Sequence, residues 1–123
     1  EISTRLPLDV APHDLVDQLR TLNPAITVDV LGSVPAFRSE RHTPLVRAFT
    51  NLIRQHDTRP ALVLKTGTAD MNIVGPAWGC PVVAYGPGDA ALDHTPHEHI
   101  VLDEYLRAIT VLEGVLGKLH GEA

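Results

Sequence analysis

The sequence contains a single cysteine, Cys80, in 123 residues. That excludes an internal disulfide and a cysteine-cage zinc site, and it fits a reducing, cytoplasmic setting. Aromatic residues are almost as scarce, with one Trp, two Tyr and two Phe. So few rings argue against a stacking platform for single-stranded nucleic acid. Cations are outnumbered, 10 Lys and Arg against 15 Asp and Glu, giving a formal charge of −5. Phosphate binding wants clustered Lys and Arg, so nucleic acid is not the expected partner. No apolar run approaches the length of a membrane span, so no membrane partner is expected. No secretory leader pattern is visible, since the chain opens on Glu1 and a strand-like run.

What remains is the composition of a globular core, 44% apolar and 20% charged. The length suits one small domain or part of a larger one. A strand at the very start leaves backbone groups in search of neighbours, which points to a fragment. Ile2–Leu6 reads as that strand. Pro12 then opens a helix to about Leu22, with Leu15, Val16, Leu19 and Leu22 on one face. Asn23-Pro24 ends it. Ile26–Leu31 alternates apolar and polar residues, the pattern of a half-exposed strand. Gly32–His42 reads as a linker, with Ala36-Phe37 as its anchor. Thr43 caps a second helix that carries Pro44 in its first turn and ends near His56. Ala61–Leu64 and Pro81–Tyr85 are short apolar runs, expected as strands buried on both faces. Between them, Thr66–Asn72 is a turn opening a short helix. The last helix is expected over about Glu98–Leu119, with Val101, Tyr105, Ile109, Leu112, Leu116 and Leu119 as its apolar stripe. The predicted fold class is α/β, with helices on the faces of a sheet. Ligands of such sheets bind beyond the carboxyl ends of the strands.

Two loops carry the usable chemistry. The first, Gly86–Ile100, delivers His94, His97 and His99 with Asp89, Asp93 and Glu98. Imidazole is the commonest metal ligand and a base at neutral pH. His94 is the best single candidate, set against a plain surface or capping histidine. His97 and His99 do not share a helical face with it and read as the start of the last helix's solvent face. Asp93 and Glu98 either orient an imidazole or, for Glu98, favour a helix N-terminus, the reading preferred for it alone. In the second loop, Gly67 and Thr68 offer backbone amides and a hydroxyl suited to a carboxylate or phosphate. The spacing is not that of a P-loop. Asp70 either caps the following helix or binds a ligand. Arg5 is either a solvated strand residue or a fork for a carboxylate. Arg38 and Arg41 read as exposed, and Cys80 as a small core residue.

Taken in order, Ser3-Thr4-Arg5-Leu6-Pro7, Gly67-Thr68-Ala69-Asp70-Met71-Asn72, Tyr85-Gly86-Pro87-Gly88 and His94-x-x-x-Glu98 resemble the M20 metallopeptidases along the whole chain. That family includes acetylornithine deacetylase and succinyl-diaminopimelate desuccinylase. The wording Gly67-Thr68-Ala69-Asp70-Met71-Asn72 and Asp93-His94-Thr95-Pro96-His97-Glu98-His99-Ile100 is similar to the branch that frees lysine or ornithine from an amino-group carrier protein. The resemblance implies that residues 1–36 are the second half of a ferredoxin-like lid, or dimerisation, domain. Residues 37–123 would be the C-terminal part of a zinc-peptidase-like α/β/α catalytic domain. It implies His94 as a metal ligand, Arg5 as the holder of the substrate carboxylate, and Gly67, Thr68, Asp70 and Asn72 as substrate-loop residues. His97 departs from the family, where many members carry Asn. The implied cofactor is zinc or cobalt, two per complete site. The implied substrates are N-acyl amino acids or carrier-linked lysine or ornithine, in lysine or arginine biosynthesis.

The family's other metal ligands and its general-base glutamate precede the lid and have no counterpart here. The expectation is therefore a C-terminal portion of an amide hydrolase, inactive alone, with no catalytic residue of its own. Its expected partners are the N-terminal part of the same enzyme and a second copy through the lid. The competing reading is a non-catalytic remnant that dimerises or binds. An unrelated α/β protein would instead pack Ile2–Leu31 and Leu45–Leu119 into one core.

Overall fold

The computed structural model describes residues 1–56, 59–65 and 67–121. Thr66, at the head of the expected 66–72 turn, lies outside them. The described residues form four α-helices: α1 (Pro12–Leu22), α2 (Pro44–Gln55), α3 (Met71–Trp78) and α4 (Leu102–Gly121). A 3-10 turn spans Ala90–Leu92. The chain divides into two compact units, Glu1–Ser39 with Val63–Val82, and Glu40–Leu62 with Val83–Ala123.

Sequence punctuation sets the first helices. Pro12 sits in the first turn of α1, where its missing N–H costs nothing, and Asn23 follows the last residue. Leu15, Val16 and Leu19 are half-buried, while Leu22 is exposed. At α2 the Thr43 hydroxyl accepts the Val46 N–H at 3.2 Å, beside Pro44. Such a cap is worth about 1 kcal/mol.

The second unit holds the hydrophobic core. Phe49 and Leu52 of α2 pack against Val111 and Val115 of α4. Val83 and Leu119 close on that cluster from the side. The Tyr85 ring lies on Phe49 with centroids 4.9 Å apart. Gly114 allows the close approach, since a Cβ there would stand 3.0 Å from a Leu52 methyl.

Three expectations need correction. First, no β-strand is formed among the described residues, although residues 2–6, 26–31, 61–64 and 81–85 were expected as strands. A ladder exists only where two segments exchange N–H and C=O groups. Among the described residues no backbone hydrogen bond joins any two of these runs. Leu62, Val63 and Leu64 are 62%, 83% and 72% exposed rather than buried on both faces. Second, α4 begins at Leu102 and not at Glu98. Turns through Thr95 and His97 hold the chain out of the helix, and its first closing bond is Tyr105 N–H to Val101 at 3.0 Å. Third, α4 buries Ala108, Val111 and Val115. The expected stripe of Val101, Tyr105, Ile109, Leu112 and Leu116 stays exposed, and only Leu119 of that set packs on the core. Apolar residues occupy two adjacent stripes of α4, so periodicity alone could not choose between them.

Val111→Ala or Val115→Ala is expected to lower unfolding free energy by about 2 kcal/mol. Leu116→Ala, on the exposed stripe, stays within about 0.5 kcal/mol of the parent. Urea denaturation separates the two. Partial burial raises the Tyr85 phenol above its ordinary value of 10.0, with the Arg107 charge pulling the other way. The folded value being the higher, this contribution to stability is present below pH 10 and is lost as pH rises through the raised value. Absorbance titration should show one tyrosine ionising late, and Tyr85→Phe should remove that late step.

Candidate substrate site

The first unit joins most of the residues singled out for substrate binding. The Arg5 Nη1 donates to the Thr68 Oγ1 at 2.9 Å, across 63 positions of sequence. A guanidinium has five N–H donors in a fixed fork. Among the described residues no carboxylate pairs with Arg5, whose one side-chain hydrogen bond is to Thr68. Because Thr68 accepts from Arg5, its own hydroxyl hydrogen is left to donate outward. Its two chain neighbours apart, no described residue lies within 4 Å of where a Cβ at Gly67 would stand. The group therefore presents a cationic fork, a hydroxyl donor and unobstructed backbone, a combination that suits a carboxylate.

Asn72 lies in the same loop. Its Oδ1 accepts the Ala69 N–H at 3.0 Å and its Nδ2 donates to the Pro35 carbonyl at 2.9 Å. Both ends of the amide make a bond within the protein, so Asn72 ties the loop to the Pro35 carbonyl. Asp70 precedes α3 but its side chain makes no capping bond. Its carbonyl accepts the N–H groups of Ile73 and Val74, both at 2.9 Å. The Ala36-Phe37 anchor lands on α3, where a Cβ at Gly75 would collide with the Phe37 ring. Gly79 ends α3 at φ +61, and its N–H bonds the Gly75 carbonyl at 3.0 Å. Cys80 is exposed rather than a core residue.

His94 belongs to the second unit. Its loop is pinned at both sides. Asp89 accepts the Ala91 N–H at 2.9 Å, and the Thr95 hydroxyl donates to Leu92 at 2.8 Å. Glu98 Oε2 accepts the backbone N–H of His94 at 2.9 Å. Glu98 thus serves the loop, not the N-terminus of α4, which begins four residues later. His97 and His99 precede α4 too, the His99 ring nitrogen lying 2.7 Å from the His97 carbonyl. The His94 imidazole takes part in none of these bonds and is exposed. Sequence reasoning missed the Pro35 tie, for which no local signal exists. It had the Glu98 spacing in hand but assigned it to the helix.

Among the described residues no three His, Cys, Asp or Glu side chains converge as a metal-holding group. One imidazole does not make a catalytic zinc site, which takes three protein ligands. The described residues by themselves do not fit a two-metal centre. No described helix is long and apolar enough to cross a membrane.

The sequence profile of peptidase family M20/M25/M40 matches residues 6–118. A protein of Thermococcus kodakarensis, provisionally described as a LysW-lysine/LysW-ornithine hydrolase, is 54% identical over 111 residues, 88% of this chain and 32% of that one. The LysW-lysine hydrolase of Deinococcus radiodurans is 40% identical over 122 residues, 98% of this chain and 34% of its own. The LysW-lysine/LysW-ornithine hydrolase of Saccharolobus islandicus is 31% identical over 91 residues, 74% of this chain and 26% of its own. The chain spans about a third of the length of the first two of these relatives.

Asn72→Asp keeps an acceptor for Ala69 but replaces the donor to Pro35 with a second oxygen. It is expected to cost about 1–2 kcal/mol at neutral pH. That deficit against the parent should narrow below about pH 4, where a protonated carboxyl donates again. Denaturation of both chains at the two pH values checks this.

Proposed function

The chain belongs to peptidase family M20/M25/M40, and from that membership we propose that it is the C-terminal portion of an amide hydrolase. The reaction it serves releases a free amino acid such as lysine or ornithine from an N-acyl or carrier-protein-linked form. The observation that carries the reading is the Arg5–Thr68 pair, which sets a guanidinium with no carboxylate partner among the described residues 2.9 Å from a hydroxyl. The names of the relatives support the amino acid, since lysine or ornithine appears in each.

In this reading residues 1–36 are the second half of a lid domain, through which two copies pair, and residues 37–123 complete the catalytic domain. Arg5 forks onto the α-carboxylate of the amino acid being freed. Thr68 donates its hydroxyl hydrogen to the same carboxylate, and Gly67 leaves room for it. Asp70 lines the same loop. These contacts orient the substrate so that its amide lies where the attacking water is delivered. His94 is this chain's one ligand toward the family's zinc or cobalt. The other ligands and the general base come from the N-terminal part of the enzyme, and the 123 residues are inactive without it.

The carboxylate contact is made equally before and during amide cleavage, so its loss falls on KM rather than kcat. With the N-terminal part present, Arg5→Ala should raise KM for N-acyl-lysine about 10- to 100-fold. Arg5→Lys should not restore it, because an ammonium lacks the fork. Substrate whose α-carboxylate is capped as an amide should make the parent enzyme behave like the variant. An unchanged KM in Arg5→Ala, or turnover by the 123 residues alone, overturns the proposal. No hydrolysis in either preparation would favour a non-catalytic binding module.

A further inference from the structure

His94 is the one non-glycine residue with positive φ among the described residues, at 64°. For an L-residue this region brings Cβ against the backbone, so the conformation persists only where neighbours hold it. Histidine tolerates it better than most residues but does not prefer it. The neighbour in contact is Glu98, whose Oε2 accepts the His94 N–H at 2.9 Å. No other bond to the His94 backbone is seen among the described residues. The preceding turn closes without it, through Thr95 N–H to the Leu92 carbonyl at 3.0 Å. The following turn closes through Glu98 N–H to the Thr95 carbonyl at 3.1 Å.

We propose that Glu98 is a positioning residue, holding residue 94 in its left-handed conformation and so fixing where the His94 imidazole points. The carboxylate bonds the backbone, and no bond to either ring nitrogen is seen among the described residues, which differs from the usual way of orienting an imidazole through its second nitrogen. A carboxylate is a stronger acceptor than a neutral oxygen, and a side chain four residues on can reach back only if the intervening residues turn. The turns at Thr95 and His97 provide that reach. Bond and backbone conformation support each other. The functional consequence rests on the reading of His94 given above.

The test compares Glu98→Ala, Glu98→Gln and His94→Gly, alone and combined, in the 123-residue chain. Backbone NMR shifts and the HN–Hα coupling of residue 94 report its φ, and urea denaturation reports the unfolding constant. Glu98→Ala should move residue 94 out of the left-handed region and raise the unfolding constant about tenfold. Glu98→Gln, whose amide oxygen still accepts, should keep the φ signature. In the His94→Gly background the same Glu98→Ala change should have a smaller effect, since glycine holds positive φ unaided. The proposal is overturned if Glu98→Ala leaves the residue-94 signals in place, if Gln fails where Ala fails, or if both backgrounds respond equally. Activity with the N-terminal part is a separate arm. A moved φ with unchanged turnover upholds the positioning and sinks the functional reading of His94.

Discussion

The packing of α2 on α4 is the constraint from which the second unit takes its form. Phe49 and Leu52 on one side, with Val111 and Val115 on the other, make up its buried cluster. The two valines are 1% exposed, deeper than any other buried residue named in that core. Gly114 lets the helices come close, and Leu52 fills the space. The same cluster fixes both ends of the histidine loop. Val83 and Tyr85 pack against the core just before the loop, and α4 starts just after it. The loop itself buries little, so it depends on this frame and on its own side-chain caps.

The first unit is held by different means. Gly75 is the one buried residue of α3, and α1 has none. Its ties are polar and specific: Asn72 to Ala69 and Pro35, Arg5 to Thr68, and the Ser39 hydroxyl to the Val82 carbonyl at 2.6 Å. Each such bond contributes about 1 kcal/mol net, against about 1.5–3 for a buried aliphatic side chain. Directed bonds suit a substrate loop, because they set geometry without filling the space a ligand needs.

How much of this was readable from residues alone follows from how local each cause is. Pro12, Asn23-Pro24 and Thr43-Pro44 act through their own backbone, so the helix ends they set were legible. The Phe37 anchor was legible as an isolated aromatic in a polar stretch, but its seat on Gly75 was not. The strands were misjudged because strand formation is a property of pairs, and an apolar run carries no information about whether its neighbour is present. On α4, Tyr105, Ile109 and Leu112 made as good a stripe as Ala108, Val111 and Val115. Only the partner helix distinguishes them. For the site, residue identity pointed to Arg5 and Thr68, and the geometry joined them. At Asn72 identity alone did not show the tie to Ala69 and Pro35, since an amide suits a ligand and a loop tie equally well.

The left-handed backbone at position 94 narrows what evolution can try there. The residues that tolerate such a φ most readily are glycine, asparagine, aspartate and histidine. Larger aliphatic and β-branched side chains are excluded by the backbone before any chemistry is considered. Within the tolerated set, only histidine offers a nitrogen lone pair able to coordinate a metal or take up a proton near neutral pH. Backbone and chemistry thus filter the same position independently, and their intersection is a single amino acid. A substitution there is judged twice, and the variants that pass the folding filter differ from the parent almost purely in the chemistry of the side chain. Under the proposed reading of His94 as a metal ligand, position 94 is a clean place to exchange one coordinating group for another.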